Sequence, residues 1–285
     1  SGQSREFIVH IPPAASGTSE VPVVFFCHGT GGNGQNSHDE PNYWRTKSED
    51  EGFIAVHPTA MVHCHIDDGL TKNTTKWASG NLGETDTALD GLPLCSGQEL
   101  ADDLAFFDGM VNFLKENHAV DSKRFYVVGF SNGGGMASKL AAERSDVFAA
   151  AAPNAGSMSN FTAHTLSSRP ISVELIWGAS DPLILSKMGL TDAFPMNDSI
   201  FDIPEVVTVV ENYINIIGLT DSYAATNKQL SFGNHTVDVV EFLFDQSTRG
   251  GDNFFKFILV EGMGHNHTPS HVEVNWEFLQ SQSLP

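Results

Sequence analysis

Basic residues are scarce in this chain, and so are cysteines. Only 15 Lys and Arg stand against 35 Asp and Glu, a formal net charge of -20. A surface of that sign repels phosphate backbones and anionic lipid, which argues against nucleic acid as a partner and against electrostatic docking on membranes. No apolar run reaches the roughly 18 residues of a spanning helix, so no integral membrane contact is expected. The start Ser1-Gly2-Gln3-Ser4 has neither the basic nor the apolar stretch of a signal peptide. With only three cysteines a disulfide-built scaffold is excluded.

What is present points outward from the cell. Cys27 lies inside the apolar run Val21–Cys27, whereas Cys64 and Cys95 bracket a polar segment that a disulfide would close, two free thiols being the alternative. Glycosylation sequons begin at Asn73, Asn160, Asn197, Asn234 and Asn266. Both features favour a secreted protein whose signal peptide has been removed. Oligomeric state is not legible.

Val-, Ile- and Phe-rich runs alternate with helical segments, the pattern of a mostly parallel sheet covered on both faces. Expected strands are Arg5–Ile11, Val21–Cys27, Phe53–His57, Arg124–Phe130, Phe148–Ala152, Ser172–Gly178 and Phe254–Val260, with Val237–Phe244 added before the last. Expected helices span roughly 39–50, 99–118, 132–144, 203–218 and 270–280. In the second, Leu100, Leu104, Phe107, Val111 and Leu114 recur at the spacing of one core-facing side. The expected organisation is one catalytic domain over 1–285, interrupted by a polar excursion at about 58–98 that serves as a lid or substrate loop.

The most specific local signal is Gly129-Phe130-Ser131-Asn132-Gly133, between an apolar strand and a small-residue helix. In such a G-x-S-x-G elbow the serine takes a strained backbone conformation, and the glycines admit close neighbours. A phosphate cradle is disfavoured because no lysine follows as a P-loop requires. A serine hydroxyl needs a base to take its proton and a carboxylate to hold that base. Asp181 in Gly178-Ala-Ser-Asp181-Pro182, just past a strand, is the predicted acid, with Asp192 and Asp202 in reserve. His265 in Glu261-Gly-Met-Gly-His265, after the last strand, is the predicted base. The order Ser131, Asp181, His265 is that of an α/β-hydrolase. The loop His28-Gly-Thr-Gly-Gly-Asn-Gly34 lets backbone amides turn inward, so the amides of Thr30 and Asn132 are the predicted oxyanion donors. His28 and Trp77 are the substrate-side candidates; the place of His28 before the loop suits bracing it better than transferring protons, whereas Trp77 suits lining an acyl pocket and pinning the excursion to the core equally well. His265, His267 and His271 cluster in sequence but lack a zinc motif's spacing, so no metal is expected.

The runs Phe25-Phe-Cys-His-Gly29, Asp102-Asp-Leu-Ala-Phe-Phe107, Asp121 through Gly134, Trp177-Gly-Ala-Ser-Asp181 and Glu261-Gly-Met-Gly-His265 resemble, in order, the polyhydroxybutyrate depolymerases and feruloyl or acetylxylan esterases. That resemblance implies an α/β-hydrolase fold and a cofactor-free serine esterase acting on polyester or acylated plant polysaccharide. Members commonly continue the final histidine with Thr-Trp-Pro, where this chain has Asn266-His267-Thr-Pro. A serine exopeptidase and a noncatalytic binding protein on the same fold are the competing expectations.

Overall fold

The computed structural model describes residues 3–86, 91–160, 162, 166–232 and 235–285. Eleven strands are numbered in chain order: β1 (Phe7–His10), β2 (Val21–Cys27), β3 (Ile54–Pro58), β4 (Val62–Asp67), β5 (Leu70–Thr75), β6 (Val120–Phe130), β7 (Ala150–Asn154), β8 (Ser172–Gly178), β9 (Ala224–Phe232), β10 (His235–Phe244) and β11 (Phe255–Val260). The helices are α1 (Gly34–Asp39), α2 (Trp44–Glu51), α3 (Asp103–Asn117), α4 (Asn132–Glu143), α5 (Pro182–Lys187), α6 (Pro204–Ile217) and α7 (Pro269–Leu279).

Nine strands form one sheet in the order β1-β3-β2-β6-β7-β8-β11-β10-β9. The run from β3 to β11 is parallel, and antiparallel strands close both edges. Strands β3, β7 and β8 are buried at every position, because helices cover both faces and a parallel strand there has no wet side. On one face Phe25, Phe107, Trp77 and Phe148 belong to the larger core; on the other Trp44, Phe53, Tyr126 and Trp276 form a second.

Several expectations are corrected. The helix expected at 39–50 begins later, as α2 at Trp44, because Pro41 holds Glu40 extended after a separate short helix α1 that ends at Asp39. Leu100 precedes α3 and is exposed, and Met110 joins Phe107, Val111 and Leu114 on the buried side. Strand β9, whose Ala224–Phe232 sequence lacks alternation, was not foreseen; it is paired to β10 over nine registered positions. The excursion carries structure of its own: β4 and β5 form a hairpin, and a disulfide joins Cys64 to Cys95.

Candidate active site

The elbow is built by close approach. A Cβ on Gly133 would lie 2.0 Å from the Cys27 carbonyl oxygen, so only glycine lets α4 start directly against the end of β2. Ser131 sits between β6 and α4 at φ 56°, ψ -121°, a backbone region that an L-residue enters only under constraint. The constraint is visible: the Ser131 amide donates to Asn154 O at 2.9 Å, and the Gly135 amide donates to Ser131 O at 3.1 Å.

Two further turns meet it. After β8, the Ser180 amide donates to Met263 O at 2.9 Å, and a Cβ on Gly178 would fall 2.3 Å from that same oxygen. The turns after β8 and β11 are therefore interlocked, which brings Asp181 beside His265. His265 Nδ1 lies 2.7 Å from Asp181 Oδ2, and His265 Nε2 lies 2.9 Å from Ser131 Oγ. A carboxylate can only accept, so Nδ1 carries the proton and Nε2 is left to receive one from the serine. Asp181 is wholly buried, and its other oxygen accepts from the Leu183 and Ile184 amides as the N-cap of α5. The Phe130 ring packs 5.0 Å from the His265 ring.

The glycine-rich loop lies directly beside the serine, a Cβ on Gly29 being 3.4 Å from Ser131 Cβ. Among the described residues, the Thr30 and Asn132 amides donate to no other group. His28 is buried, and among the described residues its ring nitrogens bond to Gly29 O and the Ala60 amide, outside the relay. Its Nε2 accepts from the Ala60 amide at 3.0 Å, its ring lies 5.1 Å from Trp77, and burial pulls its pKa below that of a free histidine. Trp77 has no exposed surface, and its indole N–H donates to His28 O at 2.9 Å. Both residues therefore make bracing contacts with the loop and the excursion. Among the described residues, the carboxylate bonded to His265 is that of Asp181 and not of Asp192 or Asp202.

The three histidines near the last turn diverge. His267 buries both ring nitrogens without a partner among the described residues, against Phe26, Tyr43 and Phe130, and the Tyr43 hydroxyl donates to its carbonyl. His271 Nδ1 accepts from the Thr268 amide, completing the cap of α7. No group of three or more His, Cys, Asp or Glu has metal-binding geometry among the described residues.

Sequence reasoning assigned no role to Asp103. It is buried, ion-paired to Arg5 at 2.7 Å, and accepts from the Ala78 amide at 2.7 Å. The adjacent Asp102 is the N-cap of α3, so of two neighbouring acids one serves the helix and the other the excursion. A pair of acids opening a helix is the available signal, and capping alone would explain it.

Residues 96–185 match the prolyl oligopeptidase family. Feruloyl esterase B of Piromyces equi is 23% identical over 99% of this chain and 46% of its own length. Feruloyl esterase B of Thermothelomyces thermophilus is 29% identical over 53% of this chain and 44% of its own. The chain spans about half the length of the curated relatives it matches. An acetyl xylan esterase structure from Aspergillus awamori superposes with a TM-score of 0.58 at 16% identity, covering 97% of this chain and 94% of the other. By sheet order and superposition the chain has the α/β-hydrolase fold, and its sequence is similar to those of the feruloyl esterases.

Proposed function

We propose that the chain is a serine-dependent carboxylic ester hydrolase acting through an acyl-enzyme. The observation that carries this reading is the continuous relay from Ser131 Oγ through His265 to Asp181 on a strained elbow. In the reaction, Ser131 gives its proton to His265 Nε2 as Oγ attacks the ester carbonyl, and the Thr30 and Asn132 amides hold the oxyanion. The C–O bond to the alcohol then breaks, and His265 returns the proton to the leaving oxygen. Water repeats the sequence on the acyl-enzyme, gives a proton to the same nitrogen and releases the acid and Ser131.

The substrates are esters of hydroxyalkanoate polymers or the feruloyl and acetyl esters of plant polysaccharide, by similarity to relatives of those names. Work outside the cell is supported by the Cys64–Cys95 disulfide and by the exposure of Asn73, Asn160, Asn197 and Asn266; Asn234 lies outside the described residues.

A panel of p-nitrophenyl acetate and butyrate, methyl ferulate, acetylated xylan and polyhydroxybutyrate suspension, given to wild type and Ser131→Ala, tests the proposal. Ester turnover that disappears in the variant is the expected result, and the preferred ester selects the substrate. The match to the prolyl oligopeptidase family favours one second reading, a serine exopeptidase. Dipeptidyl p-nitroanilides therefore belong in the panel, and cleavage of these alone would replace the esterase reading. A wild type inert toward every substrate and unlabelled by a fluorophosphonate would leave the noncatalytic alternative.

A further inference from the structure

We infer that residues 75–79, at the end of the excursion's hairpin, are the frame that sets the oxyanion hole, and that the Asn132 side chain is the positioning residue tying the nucleophile elbow to it. The inference rests on the esterase reading and deepens it.

The two donors belong to loops that leave the ends of the paired strands β2 and β6: Thr30 follows β2, and Asn132 opens α4 after β6, so strand pairing sets the loops side by side and leaves their amides to be aimed. Four residues of the excursion's 75–79 segment, Thr75, Lys76, Trp77 and Ser79, bridge them. On the Thr30 side, the Gly31 amide donates to Thr75 O at 2.9 Å, the Thr75 hydroxyl donates to Gly32 O at 2.6 Å, and Lys76 Nζ donates to Thr30 Oγ1 at 3.3 Å. The Trp77 indole adds its bond to His28 O. On the Asn132 side, the Trp77 amide donates to Asn132 Oδ1 at 2.7 Å, while Asn132 Nδ2 donates to Trp77 O at 3.2 Å and to Ser79 Oγ at 3.0 Å. The Asn132 carboxamide thus makes the paired bonds a neighbouring strand would make, at the one position where α4 begins and no strand can continue. Beyond the bridge, Asp103 fixes the Ala78 amide and the Cys64–Cys95 disulfide closes the excursion.

A hydrogen-bond donor stabilises an oxyanion only if it is already aimed at the position that atom will occupy, and a displacement of about 1 Å costs on the order of 100-fold. A backbone donor cannot be aimed by its own side chain. Here the aiming is done by bonds to a third segment. This assigns the excursion a catalytic task distinct from closing over substrate: it holds two amides at a fixed separation.

The test measures kcat and KM on the ester that wild type prefers, together with inhibition by an aryl trifluoromethyl ketone. That compound adds to Ser131 and places an oxyanion in the hole. Asn132→Ala should lower kcat by about 30- to 100-fold with KM within about twofold, and weaken the ketone by the same factor as kcat/KM. Ser79→Ala, which removes one of the three bonds, should show the same coupled pattern at about threefold, and Trp77→Phe an intermediate loss. If Asn132→Ala does not fold, the latter two variants decide the question. A kcat unchanged in all soluble variants overturns the inference, as does a loss of kcat without matching loss of ketone affinity, the behaviour of a merely loosened fold. A wild type that hydrolyses no ester and is not labelled by fluorophosphonate overturns the esterase reading itself. A labelled wild type with unaffected variants overturns this inference alone.

Discussion

Asp181 divides its carboxylate between two tasks, Oδ2 facing His265 Nδ1 at 2.7 Å and Oδ1 capping α5 through the Leu183 and Ile184 amides. The cap fixes the carboxylate plane, so the helix start orients the group that orients the histidine. The two tasks separate by substitution. Asp181→Asn keeps an oxygen for the cap but presents N–H to His265, forcing the wrong tautomer; kcat should fall about 10^3- to 10^4-fold with little change in melting temperature. Asp181→Ala should lose as much activity and about 1 kcal/mol of stability besides. Steady-state kinetics and urea unfolding on both variants check the pair.

The elbow glycine should be intolerant in a way that distance alone predicts. A methyl on Gly133 would meet the Cys27 carbonyl at 2.0 Å, and both are backbone atoms of rigid elements. Gly133→Ala should cost several kcal/mol, about 3 or more, or fail to accumulate folded. Gly109, in the middle of α3, meets nothing within 4 Å, so Gly109→Ala should stabilise by about 0.5–1 kcal/mol. Equal effects at the two sites would contradict the packing argument.

What could be read from the chain follows a physical divide. Ser131, Asp181 and His265 were legible because each follows an apolar strand and a turn, and strand ends in a parallel sheet lie on one edge. Strands β2 and β8 were read to the residue because apolar residues dominate both runs and turn residues bound them. By contrast, β9 owes its conformation to its partner rather than to its own pattern, and the frame at 75–79 is polar chain held by hydrogen bonds to distant residues. Such contacts leave no periodicity. For His28 and Trp77 the chain left two roles open, because bracing and substrate contact differ in packing rather than in local pattern.

The disulfide should matter to rate as well as stability. Cys64 and Cys95 lie 31 residues apart and close the chain on either side of the frame. A loop of that size restricts the unfolded chain enough to contribute about 2–4 kcal/mol. Cys64→Ser with Cys95→Ser should lower the unfolding free energy by that amount, and kcat should drop severalfold below the melting transition while KM holds. A fully active double variant would show that the hairpin frames the hole without its clamp.

Acid should unfold this protein through histidines more than its carboxylates suggest. Burial takes His57 down to about 3, with the positive charges of His38, His10 and Arg45 adding to it and Asp39 opposing, and takes His271 down to about 4. Both are neutral when folded and bind a proton near pH 6.5 when unfolded. Stability is therefore full above pH 6.5 and is lost as pH falls toward 4, with each histidine contributing a slope of about 1.4 kcal/mol per pH unit. His57 has no hydrogen bond to either ring nitrogen among the described residues, so His57→Leu removes the proton linkage without orphaning a partner. Urea midpoints measured from pH 7 to pH 5 should fall less steeply in that variant than in wild type. Parallel curves would mean that His57 gains a proton in the folded state and that acid sensitivity has another source.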